Sequence, residues 1–159
     1  GIPGCSRDVE TTVKYLQSKI GESGCNNIVM LGCSAGGFAA LLYGILLNVD
    51  KIITFNPQTF LDSSTRLLYK DSRWNDYSKL NNLQDNSYLN LKNLTPIDGL
   101  KSKIYIIYSK KNRLDVAHFN NIKQNNNYNI TGVDIDTNEH LLANYLKKDD
   151  RLNQYLFMV

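Results

Sequence analysis

A serine with glycines two residues before and after it, Ser34, has the surroundings of a reactive nucleophile. An apolar stretch at 28–31 precedes this serine, and a helix-forming stretch at 38–47 follows it. The order predicts a buried strand, a sharp turn that exposes the serine oxygen, and a helix. The backbone of such a turn is strained and needs small neighbours, and we expect Gly32 and Gly36 to provide the room.

The predicted helix that starts beside Ser34 would help to hold a negative charge. The first amide groups of a helix have no acceptor within it, and the positive end of the helix dipole lies there. Both favour the oxyanion that forms when a serine attacks an acyl carbonyl. We therefore expect the N–H of Ala35 to be one oxyanion donor.

A serine hydroxyl becomes a good nucleophile only when a base takes its proton, and the chain has two histidines for this role. His140 follows a predicted strand at 128–135 and a short polar loop, so it is expected at the carboxyl end of the sheet. His118 lies within a predicted helix, where a packing role is the simpler interpretation. We take His140 as the base and keep His118 as the alternative.

An acid must then orient the histidine, and Asp115 follows the predicted strand at 103–108 and a polar loop. The chain order Ser34, Asp115, His140 is that of α/β hydrolases. Asp115 also suits the N-cap of the next helix, which is a structural role. The alternative acids are Asp62, Asp134 and Asp136.

Alternating strands and helices predict an α/β fold, a parallel sheet flanked by helices in three layers. The predicted helices span 7–20, 35–47 and 115–124, further helices are predicted within about 140–157, and the predicted strands span 27–32, 51–55, 103–108 and 128–135. Right-handed crossovers are expected to place helices on both faces of the sheet and to gather the loops that follow the strands at one end.

The segment at about 57–99 is polar and aromatic, and it occupies the position where hydrolases insert a cap or lid. One interpretation is a substrate-binding cap. The other is a surface segment that its aromatic side chains pin to the core. These aromatic residues are Tyr69, Trp74, Tyr77 and Tyr88.

The chain resembles the α/β-hydrolase superfamily, and within it a group of short bacterial hydrolase-like proteins whose serine turn reads Ser-Ala-Gly-Gly. The matching segments are residues 32–44, residues 55–59, Asp115 with His118, and residues 139–141. Members of this group are often found near polysaccharide or glycoconjugate assembly functions. The resemblance implies that Ser34 is the nucleophile, Asp115 the acid and His140 the base, but it implies no particular substrate.

The resemblance also predicts a truncated fold, because α/β hydrolases have several strands before the serine turn and only some 26 residues precede the strand here. The strand at 28–31 would then be an exposed apolar edge, unless a longer chain or a second copy covers it. A second oxyanion donor normally comes from a loop upstream of the serine, and we assign it to Ile2 in the opening segment.

Composition predicts one domain over residues 1–159, because 159 residues with 42% hydrophobic content suit a single core. The longest apolar run, 38–47, is too short to cross a bilayer. The net charge of +3 comes from dispersed lysines, which does not favour nucleic-acid binding. Two histidines without a carboxylate cluster predict no metal site, and no cofactor is expected.

Cysteine usage favours the cytoplasm. The chain has three cysteines, an odd number, and Cys33 is expected to be buried in the serine turn. A disulfide framework is therefore not expected, and a reducing compartment fits better.

These residues predict a serine hydrolase that acts on a carboxylic ester or thioester, either a small molecule or linked to a glycan, through an acyl-enzyme. Acyl transfer to a glycan is the neighbouring alternative, because it uses the same acyl-enzyme. An alternative from another class is a non-catalytic hydrolase-like module for binding or assembly, with the sheet edge paired in a homodimer.

Overall fold

The computed structural model describes residues 1–74, 87–94 and 99–158. In chain order the elements are α1 (Val9–Ser23), β1 (Val29–Cys33), α2 (Ser34–Leu46), β2 (Lys51–Phe55), α3 (Ser63–Tyr69), a single turn of 3-10 helix (Leu91–Asn93), β3 (Lys103–Ser109), α4 (Arg113–Lys123), β4 (Ile130–Ile135), α5 (Leu142–Lys148) and α6 (Leu152–Leu156). The predicted alternation of helices and strands is confirmed, with boundaries shifted by a few residues. Helix α3 and the 3-10 turn lie in the segment at 57–99, where no element was predicted, and the helical region at 140–157 forms the two helices α5 and α6.

Local signals explain several of these boundaries. Helix α1 begins after Asp8, whose carboxylate accepts the N–H of Thr11 at 2.8 Å in a capping box. It ends at Gly24, which adopts the left-handed conformation with φ of 65°. Within the part of the chain that the structure describes, no helix is long and apolar enough to span a membrane.

The sheet is parallel throughout, in the order β1-β2-β3-β4. Because all four strands point the same way, the loops that follow them meet at one edge of the sheet. The turn at Ser34 follows β1, Asn56 follows β2, and the loops that lead to Asp115 and His140 follow β3 and β4. The expected convergence of these residues at one end of the sheet is confirmed.

The two faces of the sheet are covered by different helices. Alternation along β2 sends Ile52 into a core formed with α2 and α4, and sends Ile53 into a second core formed with α5 and α6. The expected three-layer architecture is confirmed. The expectation that crossovers supply both outer layers is wrong. Each strand lies beside the previous one in the same direction, so right-handed crossovers all return on one face, where α2 and α4 lie. The C-terminal helices α5 and α6 cover the other face.

Strand β1 lies at the end of the described sheet, and Val29 and Leu31 are 49% and 55% exposed. The prediction of an exposed apolar edge is confirmed within the described residues. The prediction of a buried strand is wrong for the face that carries these two side chains. An apolar run alone does not distinguish a strand covered on both faces from one with a single covered face.

The described part of the segment at 57–99 packs closely onto the sheet. Phe60 pairs with Asn90 in an antiparallel bridge, and the rings of Phe60 and Tyr69 stack at 5.3 Å. Trp74 donates its indole N–H to Gln58 Oε1 at 2.9 Å. Residues 75–86 and 95–98, with Tyr77 among them, lie outside the described residues, and a substrate-binding cap stays a prediction.

Candidate active site

Ser34 lies in a strained strand-to-helix turn. Strand β1 ends at Cys33, α2 begins at Ser34, and the φ of Ser34 is 50°. Positive φ is uncommon for a residue with a side chain and is often found where a functional group must be presented. The turn therefore has the predicted form and exposes the serine hydroxyl at the edge where the loops meet.

Only one of the two glycines that were expected to make room for the turn, Gly32 and Gly36, has that role in the structure. A Cβ atom at Gly32 would overlap the carbonyl group of Gly36, so this position needs the missing side chain. A Cβ at Gly36 would meet nothing within 4 Å, and the expectation that Gly36 provides room is wrong. The second close approach is at Gly37, where a Cβ would lie 2.8 Å from Pro57 Cβ.

This difference predicts opposite effects on stability. Gly32→Ala is expected to lower the melting temperature strongly, because the new methyl group would push α2 away from β1. Gly36→Ala is expected to leave it unchanged or raise it, because alanine favours helix over glycine by about 1 kcal/mol. Thermal unfolding of the two variants side by side tests this, and a large loss in Gly36→Ala would contradict the account.

The predicted oxyanion donors differ in their surroundings. Ala35 is in the first turn of α2, where amide groups lack acceptors within the helix, and the N-cap residue Cys33 contributes no side-chain cap. The N–H of Ile2 donates to Ser6 Oγ at 2.7 Å. This amide is therefore occupied in the structure, and a role of Ile2 as an oxyanion donor stays a prediction.

Ser34, His140 and Asp115 form a continuous hydrogen-bonded chain. Ser34 Oγ lies 2.8 Å from His140 Nε2, and His140 Nδ1 lies 2.8 Å from Asp115 Oδ1. The Asp115 side chain is fully buried, whereas that of His140 is 29% exposed. A carboxylate at Nδ1 holds the proton on that nitrogen, which leaves Nε2 able to accept the proton of the serine.

The loop before α4 frees Asp115 from a capping role. The N-cap is Asn112, whose side-chain oxygen accepts the N–H groups of Leu114 and Asp115 at 3.1 Å and 3.3 Å. Asn112 Nδ2 also donates to the carbonyl of Asn138, two residues before His140. The alternative N-cap role for Asp115 is therefore wrong, and its carboxylate faces His140.

The alternative candidates lie elsewhere. His118 is buried in α4, where its ring stacks on Phe60 at 3.8 Å, which favours the packing interpretation. Asp62 is the N-cap of α3. Asp134 and Asp136 pair with Lys110 at 3.3 Å and 3.4 Å. The structure brings none of these groups to Ser34.

A residue that the sequence analysis gave no role, Asn56, ties the ends of three strands together. It is 1% exposed and has φ of 42°, a conformation that asparagine tolerates better than most residues. Its Nδ2 donates to the carbonyls of Glu139 and His140 at 3.0 Å and 2.9 Å. Its Oδ1 accepts the N–H of Ser109 at 2.8 Å, and Ser109 Oγ donates to the Glu139 carbonyl at 2.6 Å. Asn56 and Ser109 thereby fix the backbone that carries the histidine.

If the hydrogen-bonded chain of Ser34, His140 and Asp115 is catalytic, Asn56→Asp should lower kcat by at least about tenfold with little change in KM, because a carboxylate oxygen would face two carbonyl oxygens and displace His140. Steady-state kinetics with a chromogenic ester measures this. Asn48→Asp is a matched control: Asn48 also has positive φ, and its side chain bonds the Lys101 N–H at 2.8 Å far from the site. Equal effects in both variants would contradict the assigned role.

Two adjoining depressions open at the hydrogen-bonded chain. A cavity of about 90 Å³ is lined by Cys33, Ser34, His140, Leu141, Leu142, Ala143 and Asn144. It shares Leu141 and Asn144 with a wider groove of about 530 Å³ along α5. The expectation that Cys33 is buried in the turn is wrong, because Cys33 is exposed beside Ser34, although partial burial raises the pKa of its thiol.

Comparison with solved structures finds the same architecture. The capsule O-acetyltransferase of Neisseria meningitidis serogroup A is 23% identical, with a TM-score of 0.60 over 88% of this chain and 63% of that chain. An alpha/beta hydrolase enzyme from a sediment metagenome of the Mar Chica lagoon in Morocco is 18% identical, with a TM-score of 0.54 over 94% and 77%. The chain has an α/β-hydrolase fold.

A lipase-esterase related protein from Clostridium acetobutylicum shares this hydrolase fold, with 15% identity and a TM-score of 0.54 over 92% of this chain and 73% of that chain. Comparisons with protein-family models and with curated proteins find no match. The chain spans 63% of the length of the O-acetyltransferase. At these identities the likeness concerns the fold, and the chemistry must be argued from the residues of this chain.

Proposed function

We propose that this chain is a serine acyl hydrolase in which Ser34 is the nucleophile, His140 the base and Asp115 the acid. The observation that carries the proposal is the hydrogen-bonded chain from Ser34 Oγ through His140 to Asp115, with 2.8 Å at both steps. Ser34, the first residue of this hydrogen-bonded chain, lies in a strained turn at the start of a helix, which is how α/β hydrolases present their nucleophile.

The first half of the reaction makes an acyl-enzyme. Ser34 Oγ forms a bond to the carbonyl carbon of the ester or thioester, His140 Nε2 takes the hydroxyl proton, and the carbonyl electron pair moves onto the oxygen. The N–H of Ala35 then donates to this oxyanion. When the oxyanion collapses, the bond to the alcohol or thiol breaks, and His140 returns its proton to the leaving atom.

The second half releases the acyl group by the same steps in reverse. A water oxygen attacks the acyl carbon, His140 removes its proton, and the bond to Ser34 Oγ breaks as the serine regains a proton. If the hydroxyl of a sugar attacks in place of water, the product is a new ester, and the reaction is acyl transfer. The two outcomes differ only in the acceptor that reaches the acyl-enzyme.

The cavity at Ser34 supports a short acyl group. Its volume is about 90 Å³, much smaller than the adjoining groove of about 530 Å³, so a small acyl group such as acetyl suits the space beside Ser34. Acyl transfer is the second candidate because one solved structure of similar fold is an O-acetyltransferase mutant in complex with CoA.

A non-catalytic assembly role is a further alternative, favoured by the apolar edge at Val29 and Leu31. Pairing of two β1 edges would make a dimer by joining the sheets of two copies. Sedimentation of the purified protein tests this pairing. A monomer at every accessible concentration would exclude it, while a dimer that Leu31→Lys dissociates would support it.

The proposed reaction is tested by following an acetyl ester and its acyl group together. With para-nitrophenyl acetate, we expect release of nitrophenol and, in water alone, an equal amount of acetate. An oligosaccharide is then added as an acceptor. If the yield of acetate falls and the oligosaccharide becomes acetylated, the reaction is acyl transfer. Nitrophenol release that is equal in wild type and in Ser34→Ala would overturn the proposed role of the serine.

A further inference from the structure

Helix α4 carries two buried titratable residues on one face. Asp115 and His118 are three residues apart, so their side chains are neighbours on the helix surface. They are 2% and 1% exposed. Asp115 points to His140, while His118 belongs to a second cluster that the proposed reaction does not use.

This second cluster is built by the segment that follows α3. His118 Nδ1 accepts the N–H of Thr59 at 3.0 Å, and His118 Nε2 lies 3.1 Å from Asp71 Oδ2 and 2.6 Å from Arg73 Nη2. Burial lowers the pKa of His118 despite this carboxylate. Burial raises the pKa of Asp71, but hydrogen bonds from His118 and Arg73 outweigh burial and hold the pKa well below its usual range.

Arg73 connects the second cluster to the candidate active site. Its Nε and Nη2 donate to the two oxygens of Asp71 at 2.9 Å and 2.6 Å, a two-pronged contact that fixes the plane of the guanidinium. Its Nη1 lies 3.8 Å from Asp115 Oδ1, the oxygen that faces His140. The Arg73 side chain is only 24% exposed, so solvent screens this charge less than that of a surface arginine.

Asp115 needs a compensating charge. Its other oxygen, Oδ2, is buried and has no hydrogen-bond partner among the described residues. A buried carboxylate is costly to keep ionised unless cations or donors surround it. His140 donates a single hydrogen bond, and Arg73 is the one cationic side chain within 4 Å of the carboxylate in the described part of the chain.

We infer that Arg73 is a positioning residue that places its positive charge beside the buried Asp115 carboxylate and keeps it directed at His140, with Asp71 as its anchor. The inference rests on the proposed function, because it assigns Arg73 a role in maintaining the Ser34–His140–Asp115 chain. Among the described residues, Arg73 makes no hydrogen bond to Ser34 or His140. It contacts Asp115 and therefore acts through that residue.

Removing the positive charge of Arg73 should shift the pH dependence of activity in one direction. A neutral side chain at position 73 makes ionisation of Asp115 less favourable, and it makes protonation of His140 more favourable because a nearby positive charge is lost. The negative charge of Asp71, no longer balanced by Arg73, would act in the same direction. Activity needs a neutral His140 and an ionised Asp115, so the acid limb of the pH profile moves to higher pH. Within residues 1–74, 87–94 and 99–158, the titratable groups that contact Arg73 are Asp71, Asp115 and His118, and His140 contacts Asp115.

The test is the pH profile of kcat/KM for para-nitrophenyl acetate in wild type, Arg73→Gln and Arg73→Lys. We expect the acid limb of Arg73→Gln to move up by about one pH unit, a loss of about tenfold on that limb, with a smaller loss on the alkaline plateau. Arg73→Lys keeps the charge and is expected to restore most of the acid limb. Arg113→Gln is the matched control, since Arg113 bonds the Tyr69 carbonyl at 2.7 Å on the exposed side of α4.

A profile of Arg73→Gln with an unmoved acid limb would overturn the inference, even if the variant were less stable, because a purely structural role predicts lower stability without a pH shift. Equal shifts in Arg73→Gln and Arg73→Lys would also overturn it. If Arg73→Gln does not unfold cooperatively, Arg73→Met replaces it, because methionine keeps the packing of the apolar stem. A wild type without serine-dependent turnover would instead mean that the proposed function fails.

Discussion

The Ser34→Ala variant is expected to lose about 10⁴-fold or more of kcat/KM towards an acetyl ester while it keeps the wild-type fold. The loss follows from the geometry, since Ser34 Oγ is the atom that His140 Nε2 contacts at 2.8 Å. Alanine fits the turn no worse than serine, because it removes one oxygen and adds no atom. Stopped-time assays and circular dichroism measure the activity and the fold.

The control for this variant is Ser64→Ala, which removes a hydroxyl from the first turn of α3. Ser64 Oγ donates to Asp62 at 2.7 Å and is exposed, away from the site. Its kcat/KM should match that of wild type. Residual activity in Ser34→Ala within tenfold of wild type would mean that another group performs the reaction.

Asp115→Asn is expected to lower kcat by about 10³ to 10⁴-fold, because an amide at this position can donate to His140 Nδ1. Nδ1 would then act as an acceptor, and the ring proton would move to Nε2, the nitrogen that must take the proton of Ser34. The side chain keeps its shape, so the loss arises from the wrong tautomer. The loss should be in kcat, with KM little changed.

Asp62→Asn provides the matched comparison for this change. Asp62 caps α3 by accepting the N–H of Thr65 at 2.8 Å, and asparagine caps helices as well as aspartate does. This variant should retain wild-type kcat, while its stability should fall somewhat, because the new amide nitrogen would face Asn90 Nδ2, which donates to Asp62 Oδ2 at 3.0 Å. If the two variants lost activity to the same degree, Asp62 would return as the acid and the assignment of Asp115 would be wrong.

The four strands, the helices outside the segment at 57–99 and the three proposed reacting residues could be predicted from the sequence, because their signals depend on adjacent residues or on the order of elements along the chain. The glycine-flanked turn at Ser34 depends on a few adjacent residues, and parallel strands bring the loops before Asp115 and His140 to the same edge. No distance was needed to predict that these residues converge. Their hydrogen bonds at 2.8 Å add the geometry that sequence order does not contain.

The errors have a common physical origin, since local patterns do not reveal what lies across from a residue. The apolar run in β1 predicted burial, yet no described strand pairs with its outer side, and Leu31 and Cys33 are exposed. The glycine pattern gave Gly36 a steric role, whereas the close approach to Pro57 occurs at Gly37. These contacts depend on how α2 packs, not on spacing along the chain.

Positioning residues were missed for the same reason. Asn56 contacts Glu139 and His140 across more than 80 positions of sequence, and Arg73 reaches Asp115 from a different loop. The position of Asn56 between a predicted strand and a proline was a sequence signal for a special role, but it did not reveal which backbone groups Asn56 contacts. For Arg73 the sequence contained no pattern that distinguishes it from a solvated arginine.

The most direct test of the account is covalent labelling of the purified protein with a fluorophosphonate, followed by peptide mass spectrometry to locate the adduct. Such probes react with a serine that a neighbouring base has activated. We predict an adduct on Ser34 in wild type and none in His140→Ala, with both proteins folded. Folded wild-type protein that remains unlabelled, or labelling of Ser34 that persists in His140→Ala, would contradict the claim that His140 activates Ser34.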